Sequence, residues 1–301
     1  MATRVSIQRC RFALRSKFSA QFSSKSGGDA LVELAYDLHS PAEPVADDKT
    51  RPVLFLHGLF GSKKNNRTMS KMLAQDLGRS DLRNHGDSPH SPQHDYVVMA
   101  NDVAGFIEQH SLSDPTIIGH SMGAKTAMVM ALKTPHLIRD IVAVDNAPID
   151  AALLSNFGKY VRGMKEIENA HVNRQSDADK ILQPYEKSLT IRHFLMGNMH
   201  RVRTAHGEHV LQFRIPLDTL GKALDKLGDF PYKDPDAVRF EKPALFVRGT
   251  KSRYVPDEAL PIIGRFFPKF EVVDIEAGHW LISENPEAFR EAAVRFLSPV
   301  E

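Results

Sequence analysis

The feature that most constrains this chain is a short apolar run that ends in a glycine–serine–glycine turn. Residues 116–124 read Thr-Ile-Ile-Gly-His-Ser-Met-Gly-Ala, so that Ser121 lies between Gly119 and Gly123. Glycine at both places allows a sharp turn and close packing, because neither residue carries a Cβ. A run of small residues with helical spacing follows at once. The pattern predicts a strand–turn–helix unit, a nucleophile elbow that presents an exposed Ser121 hydroxyl. The alternative is a glycine-bounded turn with a solvated serine.

Composition excludes several classes of function. The chain has 301 residues, of which 42% are hydrophobic and 25% charged, and a formal net charge of +2. These values are typical of one large globular domain, and the small net charge gives no signal for nucleic-acid or membrane-surface binding. A run of about 18 apolar residues, the minimum for a membrane-spanning helix, does not occur. We therefore expect a protein whose partners are small molecules, with neither nucleic acid nor a membrane span.

The first 28 residues differ from the rest of the chain. They are rich in serine and arginine, and the first acidic residue is Asp29. This composition predicts a mitochondrial transit peptide and a matrix location, and the alternative is a disordered basic tail. The only cysteine, Cys10, lies inside this segment. A processed chain would have no disulfide and no cysteine-ligated metal, and we expect neither a metal nor a cofactor.

Apolar runs of strand length alternate with helical patterns over most of the remaining chain. Strand-like runs occupy residues 31–38, 53–56, 116–118, 141–144, 244–247 and 272–275. Continuous apolar runs are typical of parallel strands that are buried on both faces. The alternation therefore predicts a doubly wound, mostly parallel α/β sheet. Residues 149–238 lack this alternation and predict a helical cap inserted into the core, which then comprises residues 29–148 and 239–301.

Polar motifs follow several of these strands, at the positions where parallel sheets carry their chemistry. Ser121 follows one strand, Asp145 the next along the chain, and His279 the last. A neutral serine needs a general base, and the base needs a carboxylate to orient it, so the order Ser–Asp–His predicts a catalytic triad. The backbone N–H groups of Leu59 and Met122 are the predicted oxyanion donors. Taken singly, His279 could be a loop histidine and Asp145 a helix cap.

The chain resembles the α/β-hydrolase superfamily over residues 30–299. The motifs that carry the resemblance are His-Gly-Leu-Phe-Gly-Ser at 57–62, Asp-Leu-Arg-Asn-His-Gly at 81–86, Gly-His-Ser-Met-Gly-Ala-Lys at 119–125, Val-Asp-Asn-Ala-Pro at 144–148 and Gly-His-Trp at 278–280. More closely it is similar to a small-esterase branch that includes mitochondrial abhydrolase-domain proteins and fungal ethanol acetyltransferases. The resemblance implies an α/β-hydrolase fold with a cap.

The chain departs from the superfamily pattern at the acid of the triad. Most members place the acid after the strand that here is residues 244–247, where this chain has Ser252. A serine cannot orient an imidazole as a carboxylate does. In the resembled branch the acid follows the strand after the nucleophile helix, which implies Asp145. Asp257 is the second candidate.

A second departure concerns the strand expected before Asp81. Residues 65–77 predict a helix, and only Gly78, Arg79 and Ser80 separate it from the Asp81 motif. Relative to the family, about five apolar residues are absent, and residues 79–83 are predicted to be too polar for a buried strand. Either neighbouring chain supplies the strand, or the sequence is a variant with impaired folding.

Three functions are compatible with these motifs. The first is a serine hydrolase that cleaves small carboxylic esters or thioesters through an acyl-enzyme on Ser121. The second, implied by the fungal resemblance, is an acyltransferase that uses the same triad to make ethyl acetate from acetyl-CoA and ethanol. The third is a catalytically idle binding protein of the same fold. The first half-reaction is common to the first two, so motifs alone do not separate them.

Overall fold

A computed structural model describes residues 30–39, 52–65, 67–73, 77–150 and 157–298. The strands are β1 (Tyr36–His39), β2 (Val53–Leu56), β3 (Leu77–Ser80), β4 (Thr116–His120), β5 (Asp140–Val144), β6 (Met199–Arg203), β7 (His209–Phe213), β8 (Ala244–Gly249) and β9 (Phe270–Ile275). The helices are α1 (Arg67–Met72), α2 (Tyr96–Gln109), α3 (Met122–Lys133), α4 (Phe157–Asn169), α5 (Gln175–Leu182), α6 (Leu189–Met196), α7 (Leu217–Gly228), α8 (Leu260–Phe266), α9 (Leu281–Glu284) and α10 (Pro286–Leu297). The predicted transit peptide, with Cys10, lies outside the described residues.

The core is a seven-stranded sheet in the order β1–β3–β2–β4–β5–β8–β9. Every neighbouring pair is parallel except β1 and β3. The residues of β2, β4 and β5 are all buried, because helices cover both faces of the sheet. Two clusters of apolar side chains result, one on each face. The structure confirms the predicted doubly wound, mostly parallel α/β fold.

The expectation that residues 79–83 are too polar for a buried strand is wrong for Arg79 and Ser80, which belong to the buried strand β3. Leu77 pairs with Val53 of β2 and with His39 of β1, so that β3 lies between these two strands. Helix α1 ends at Met72 rather than at the predicted Leu77, and Leu77 instead joins Gly78, Arg79 and Ser80 in the strand. Backbone pairing explains the outcome, since an unfilled gap would leave backbone groups of β2 unpaired at about 1–3 kcal/mol each.

The polar side chains of β3 are buried, and some of their hydrogen-bonding groups have no partner among the described residues. Arg79 donates from Nη1 to the carbonyl of Lys63 at 3.1 Å, and its Nη2 lies 3.5 Å from Asp37. Its Nε and the Ser80 hydroxyl are buried and have no hydrogen-bond partner among the described residues. The strand therefore forms by backbone pairing at a cost in side-chain solvation.

Between β5 and β8 the described chain leaves the sheet and forms the helical cap. It consists of α4 to α7 with an antiparallel hairpin of β6 and β7. The sequence predicted a helical cap here and not the hairpin. In the part of the chain that the structure describes, no helix combines the length and the apolar character needed to cross a bilayer.

Candidate active site

The turn after β4 has the geometry of a nucleophile elbow. Ser121 has φ 54° and ψ −111°, a strained conformation that the surrounding contacts must hold. Its N–H donates to the carbonyl of Val144 at 2.9 Å. A Cβ on Gly119 would lie 2.1 Å from the carbonyl oxygen of Gly123, and one on Gly123 would lie 2.4 Å from that of Leu56. Glycine is therefore required at both places, as the sequence predicted.

The Ser121 side chain is buried rather than exposed, with a fractional exposure of 5%. This differs from the expected presentation of the hydroxyl, and the reason is the cap. Phe157 at the start of α4 and Leu227 at the end of α7 line the same small cavity as Ser121. The cap thus covers the elbow and removes the hydroxyl from bulk water.

The structure brings Ser121, Asp145 and His279 into one hydrogen-bonded chain. His279 Nε2 lies 3.0 Å from Ser121 Oγ, and His279 Nδ1 lies 2.6 Å from Asp145 Oδ2. Asp145 is fully buried, and its carboxylate also accepts from Ser252 Oγ at 2.5 Å and from the backbone N–H of Gly249 at 3.1 Å. Three donors therefore converge on the Asp145 carboxylate.

The other acid candidate lies elsewhere. Asp257 accepts from Arg248 Nη1 at 2.6 Å, and its side chain is 81% exposed. Ser252 occupies the position where most of the superfamily has its acid, and here it donates to Asp145. At this position Ser252 thus supports the Asp145 carboxylate through a hydrogen bond.

Two further residues orient the His279 ring, and sequence reasoning missed both. Tyr254 stacks on the ring with a centroid distance of 4.0 Å and an interplanar angle of 22°. His120 Nε2 donates to the His279 carbonyl at 2.8 Å. Burial, together with the neighbouring His279, lowers the pKa of His120 to about 4, so that His120 is neutral at physiological pH. The position of His120 next to the nucleophile was the only signal available for it.

The predicted oxyanion donors lie beside the nucleophile. Leu59 and Met122 line the same cavity as Ser121. Neither backbone N–H donates a hydrogen bond to another described residue, so both stay available to a ligand. Met122 is the first residue of α3, where helix N–H groups have no intrahelical partner.

Two neutral histidines hold the loop that carries Leu59. His57 Nδ1 donates to the Gly58 carbonyl at 2.8 Å, and its Nε2 accepts from the N–H of Leu82 at 3.0 Å. His85 Nε2 accepts from the N–H of Phe60 at 3.1 Å. Burial lowers the pKa of both imidazoles, which keeps one nitrogen of each as an acceptor. The histidines of both sequence motifs therefore shape the oxyanion loop.

Lys125 joins the nucleophile helix to the base of the cap. It lies one helical turn after Ser121 and is buried, and its ammonium donates to the carbonyls of Ile149, Gly228 and Asp229 at 2.9, 3.3 and 3.1 Å. Burial lowers its pKa from 10.5 to about 8. Tyr96 lies beside it and donates to the carbonyl of Leu227 at 2.7 Å. Within the described ranges, no group of His, Cys, Asp or Glu is arranged to hold a metal ion.

Comparison with known proteins gives a consistent picture. A family model described as the alpha/beta hydrolase fold matches residues 51–286. A probable alcohol acetyltransferase of Saccharomyces cerevisiae is 40% identical over 290 residues, covering 88% of this chain and 83% of the relative. An sn-1-specific diacylglycerol lipase of Mus musculus is 38% identical over 292 residues, covering 92% and 90%. Among solved structures, a marine microorganism esterase superposes with a TM-score of 0.79 at 29% identity, covering 88% of this chain and 99% of that one.

Proposed function

The chain belongs to the α/β-hydrolase fold family and is a carboxylic ester hydrolase, and from this premise we propose that it cleaves small carboxylic esters or thioesters through an acyl-enzyme on Ser121. The observation that carries the proposal is the hydrogen-bonded chain from Ser121 Oγ through His279 to Asp145, at 3.0 and 2.6 Å. This arrangement matches a nucleophile, its base and the group that orients the base.

Each residue then has one role in the reaction. Ser121 Oγ attacks the substrate carbonyl carbon while His279 Nε2 takes its proton. The N–H groups of Leu59 and Met122 stabilise the negative charge on the carbonyl oxygen. His279 returns the proton to the leaving alcohol or thiol, which departs and leaves the acyl group on Ser121. Water, deprotonated by His279, then releases the acid, while Asp145 holds the imidazole and its positive charge throughout.

Labelling with a fluorophosphonate probe tests this proposal. We expect wild-type protein to be labelled at Ser121 and the Ser121→Ala variant to be neither labelled nor active, because a triad nucleophile supplies many orders of magnitude in rate. Ser176→Ala is the matched control, since Ser176 is exposed on cap helix α5. Labelling that survives in Ser121→Ala, or esterase activity above about a tenth of wild type, would refute the assignment.

An acyltransferase reaction is the second candidate, and the named acetyltransferase relatives favour it. An alcohol would replace water in the second half-reaction, with acetyl-CoA as donor and ethanol as acceptor. Purified protein supplied with acetyl-CoA and increasing ethanol gives the ratio of ethyl acetate to acetate. A ratio that stays near zero excludes this reaction. An idle binding protein, the third possibility, predicts no labelling at all.

We also propose that residues 1–28 direct the protein to the mitochondrial matrix. The support is the arginine-rich, acid-free composition of this segment. A fusion of residues 1–28 to a fluorescent reporter should enter mitochondria, and a fusion that begins at Asp29 should not. A diffuse cytosolic signal from the first fusion would contradict the proposal.

A further inference from the structure

Two cavities of very different size lie in this region: Ser121 lines the small one, and the chain neighbours of Ser121 and His279 line the large one. The small cavity, of about 20 Å³, is lined by Ser121, Leu59 and Met122 together with cap residues. The large cleft, of about 810 Å³, lies between α1, cap helix α6 and the segment from Trp280 to Pro286. An ester that reacts at Ser121 has an acyl part and an alcohol part, and the two cavities differ in the volume that they offer to each part.

The small cavity must receive the acyl carbonyl, because both oxyanion donors line it. One water molecule needs about 10–15 Å³, so a cavity of about 20 Å³ has room for little more than one group the size of a water or a methyl. The rest of the lining, among the described residues, is Tyr96, Lys125, Asn146, Phe157, Leu227 and Tyr254. A short acyl group such as acetyl fits this volume, and a long acyl chain does not.

The large cleft lies next to the elements that carry the reacting groups. Its wall includes Gly58 and His120, the residues directly before Leu59 and Ser121, and Trp280, directly after His279. A Cβ on Gly58 would lie 3.2 Å from His120 Nδ1 and 3.3 Å from the Ser121 Cβ, so the wall of the cleft packs against the turn that carries Ser121. Since His279 must protonate the leaving alcohol, this group departs on the side of the His279 loop.

The wall of the cleft is suited to an uncharged ligand. Its apolar members are Met69, Ile191, Phe194, Trp280 and Ile282, with hydroxyl groups between them. No lysine or arginine belongs to the lining among the described residues. Glu284 is the one carboxylate in this lining, and its Oε2 accepts from the backbone N–H of Gly278 at 2.6 Å. Among the described residues the lining thus offers a phosphate none of the arginine or lysine side chains that normally bind it.

We propose that the large cleft is the binding site for the alcohol part of the substrate, and that this part is a bulky, uncharged and mostly apolar chain joined to a short acyl group. The inference rests on the proposed function, because it takes Ser121 as the nucleophile. Beyond that function, it states that the alcohol part of the ester is large and the acyl part is small.

A pair of isomeric esters tests the distribution directly. Decyl acetate and ethyl decanoate have the same formula, and they differ only in the side of the ester that carries the long chain. We expect kcat/KM for decyl acetate to exceed that for ethyl decanoate at least about tenfold, which corresponds to the exclusion of two or so methylenes from the small cavity. Equal values, or a preference for ethyl decanoate, would overturn the inference.

Binding can be measured without catalysis, because Trp280 is the only tryptophan in the chain and lines the cleft. In the Ser121→Ala variant we expect 1-decanol to change the tryptophan fluorescence saturably, and decanoate to bind at least about tenfold more weakly, since the wall offers its charge no cation. The absence of a saturable response to 1-decanol, or tighter binding of decanoate, would overturn the inference.

A matched pair of variants locates the site. Ile191→Phe fills part of the cleft and should weaken 1-decanol binding about tenfold, whereas Leu189→Phe on the same helix should leave it unchanged, because Leu189 is 51% exposed and lies outside the lining. Equal effects of the two variants would overturn the placement. Fluorophosphonate labelling of Ser121 in wild type separates the two ideas: labelling without the ester preference refutes only this inference, and no labelling refutes both.

Discussion

Replacement of Asp145 by asparagine tests the least expected assignment in the site. The two side chains have nearly the same shape, so the variant should keep its fold. The carboxylate accepts from three donors, namely His279 Nδ1, Ser252 Oγ and the N–H of Gly249. An amide has one accepting end and one donating end, so it cannot replace all three bonds.

The geometry sets the direction of the loss. If the amide oxygen takes the place of Oδ1 and accepts from Gly249, the NH₂ group takes the place of Oδ2 and faces both Ser252 Oγ and His279 Nδ1, which must then be unprotonated. The proton moves to Nε2, and this nitrogen can no longer accept the proton of Ser121. We expect kcat to fall about 10³–10⁴-fold, or about 4–5.5 kcal/mol in the activation barrier, as for other triad acids.

The assay is the initial rate of 4-nitrophenyl acetate hydrolysis, with thermal unfolding measured on the same samples. Ser252→Ala removes one of three donors to Asp145 and should cost at most about tenfold in kcat, the effect of one hydrogen bond. Asp257→Asn should cost less than about twofold, because its exposed carboxylate contacts Arg248 and not the triad. If Asp257→Asn loses as much activity as Asp145→Asn, or if Asp145→Asn keeps a tenth of the wild-type rate, the acid assignment is wrong.

Three predictions concern stability. Ser80→Ala removes a buried hydroxyl that has no partner among the described residues, and it should raise the free energy of unfolding by about 1 kcal/mol in urea titrations, whereas a loss of stability would show that the hydroxyl is satisfied. Gly123→Ala should lower that free energy by more than about 3 kcal/mol, because its Cβ would meet the Leu56 carbonyl. Gly158→Ala in α4 would make only ordinary van der Waals contacts with Arg162 and Leu224 and should be neutral or stabilising, so similar effects of the two variants would contradict the close-packing argument. Burial lowers the pKa of Lys125 from 10.5 to about 8, so between pH 8 and pH 10.5 the unfolded chain binds a proton that the folded chain does not. The free energy of unfolding of wild type relative to Lys125→Met should therefore rise by on the order of 3 kcal/mol from pH 8 to pH 10.5. A difference that does not change with pH would mean that the ammonium is not desolvated.

The sequence predicted the central strands of the sheet better than it predicted β3. Strands buried on both faces must be apolar along their whole length, so β2, β4, β5 and β8 stood out as apolar runs. Strand β3 did not, because Leu77, Gly78, Arg79 and Ser80 form it through backbone pairing with neighbours on both sides. Side-chain patterns carry no information about such a strand.

The same distinction holds for the site. The elbow and the order of Ser121, Asp145 and His279 could be predicted from local motifs, because in each motif the reactive residue is adjacent in sequence to the residues that form its turn. The supporting contacts could not be read in this way. His120 contacts a carbonyl 159 residues away, and Lys125 contacts carbonyls up to 104 residues away. Only the folded sheet and cap determine which of the buried polar residues meet.

The attachment of the cap is uneven, and this decides how the site can open. At the base, the Lys125 ammonium makes three bonds of a kind that contributes about 1.5–3 kcal/mol each. At the opposite rim, Phe194 of α6 meets Trp280 edge-on at 4.6 Å, a contact of about 0.5–1.5 kcal/mol. Asn198, just after α6, adds one hydrogen bond to the Phe60 carbonyl at 2.8 Å, so we expect α6 to separate from the core at a lower free-energy cost than the base of the cap. Substrate is therefore expected to reach Ser121 past the contact of Phe194 with Trp280, while the end of the cap that Lys125 holds stays attached to the core.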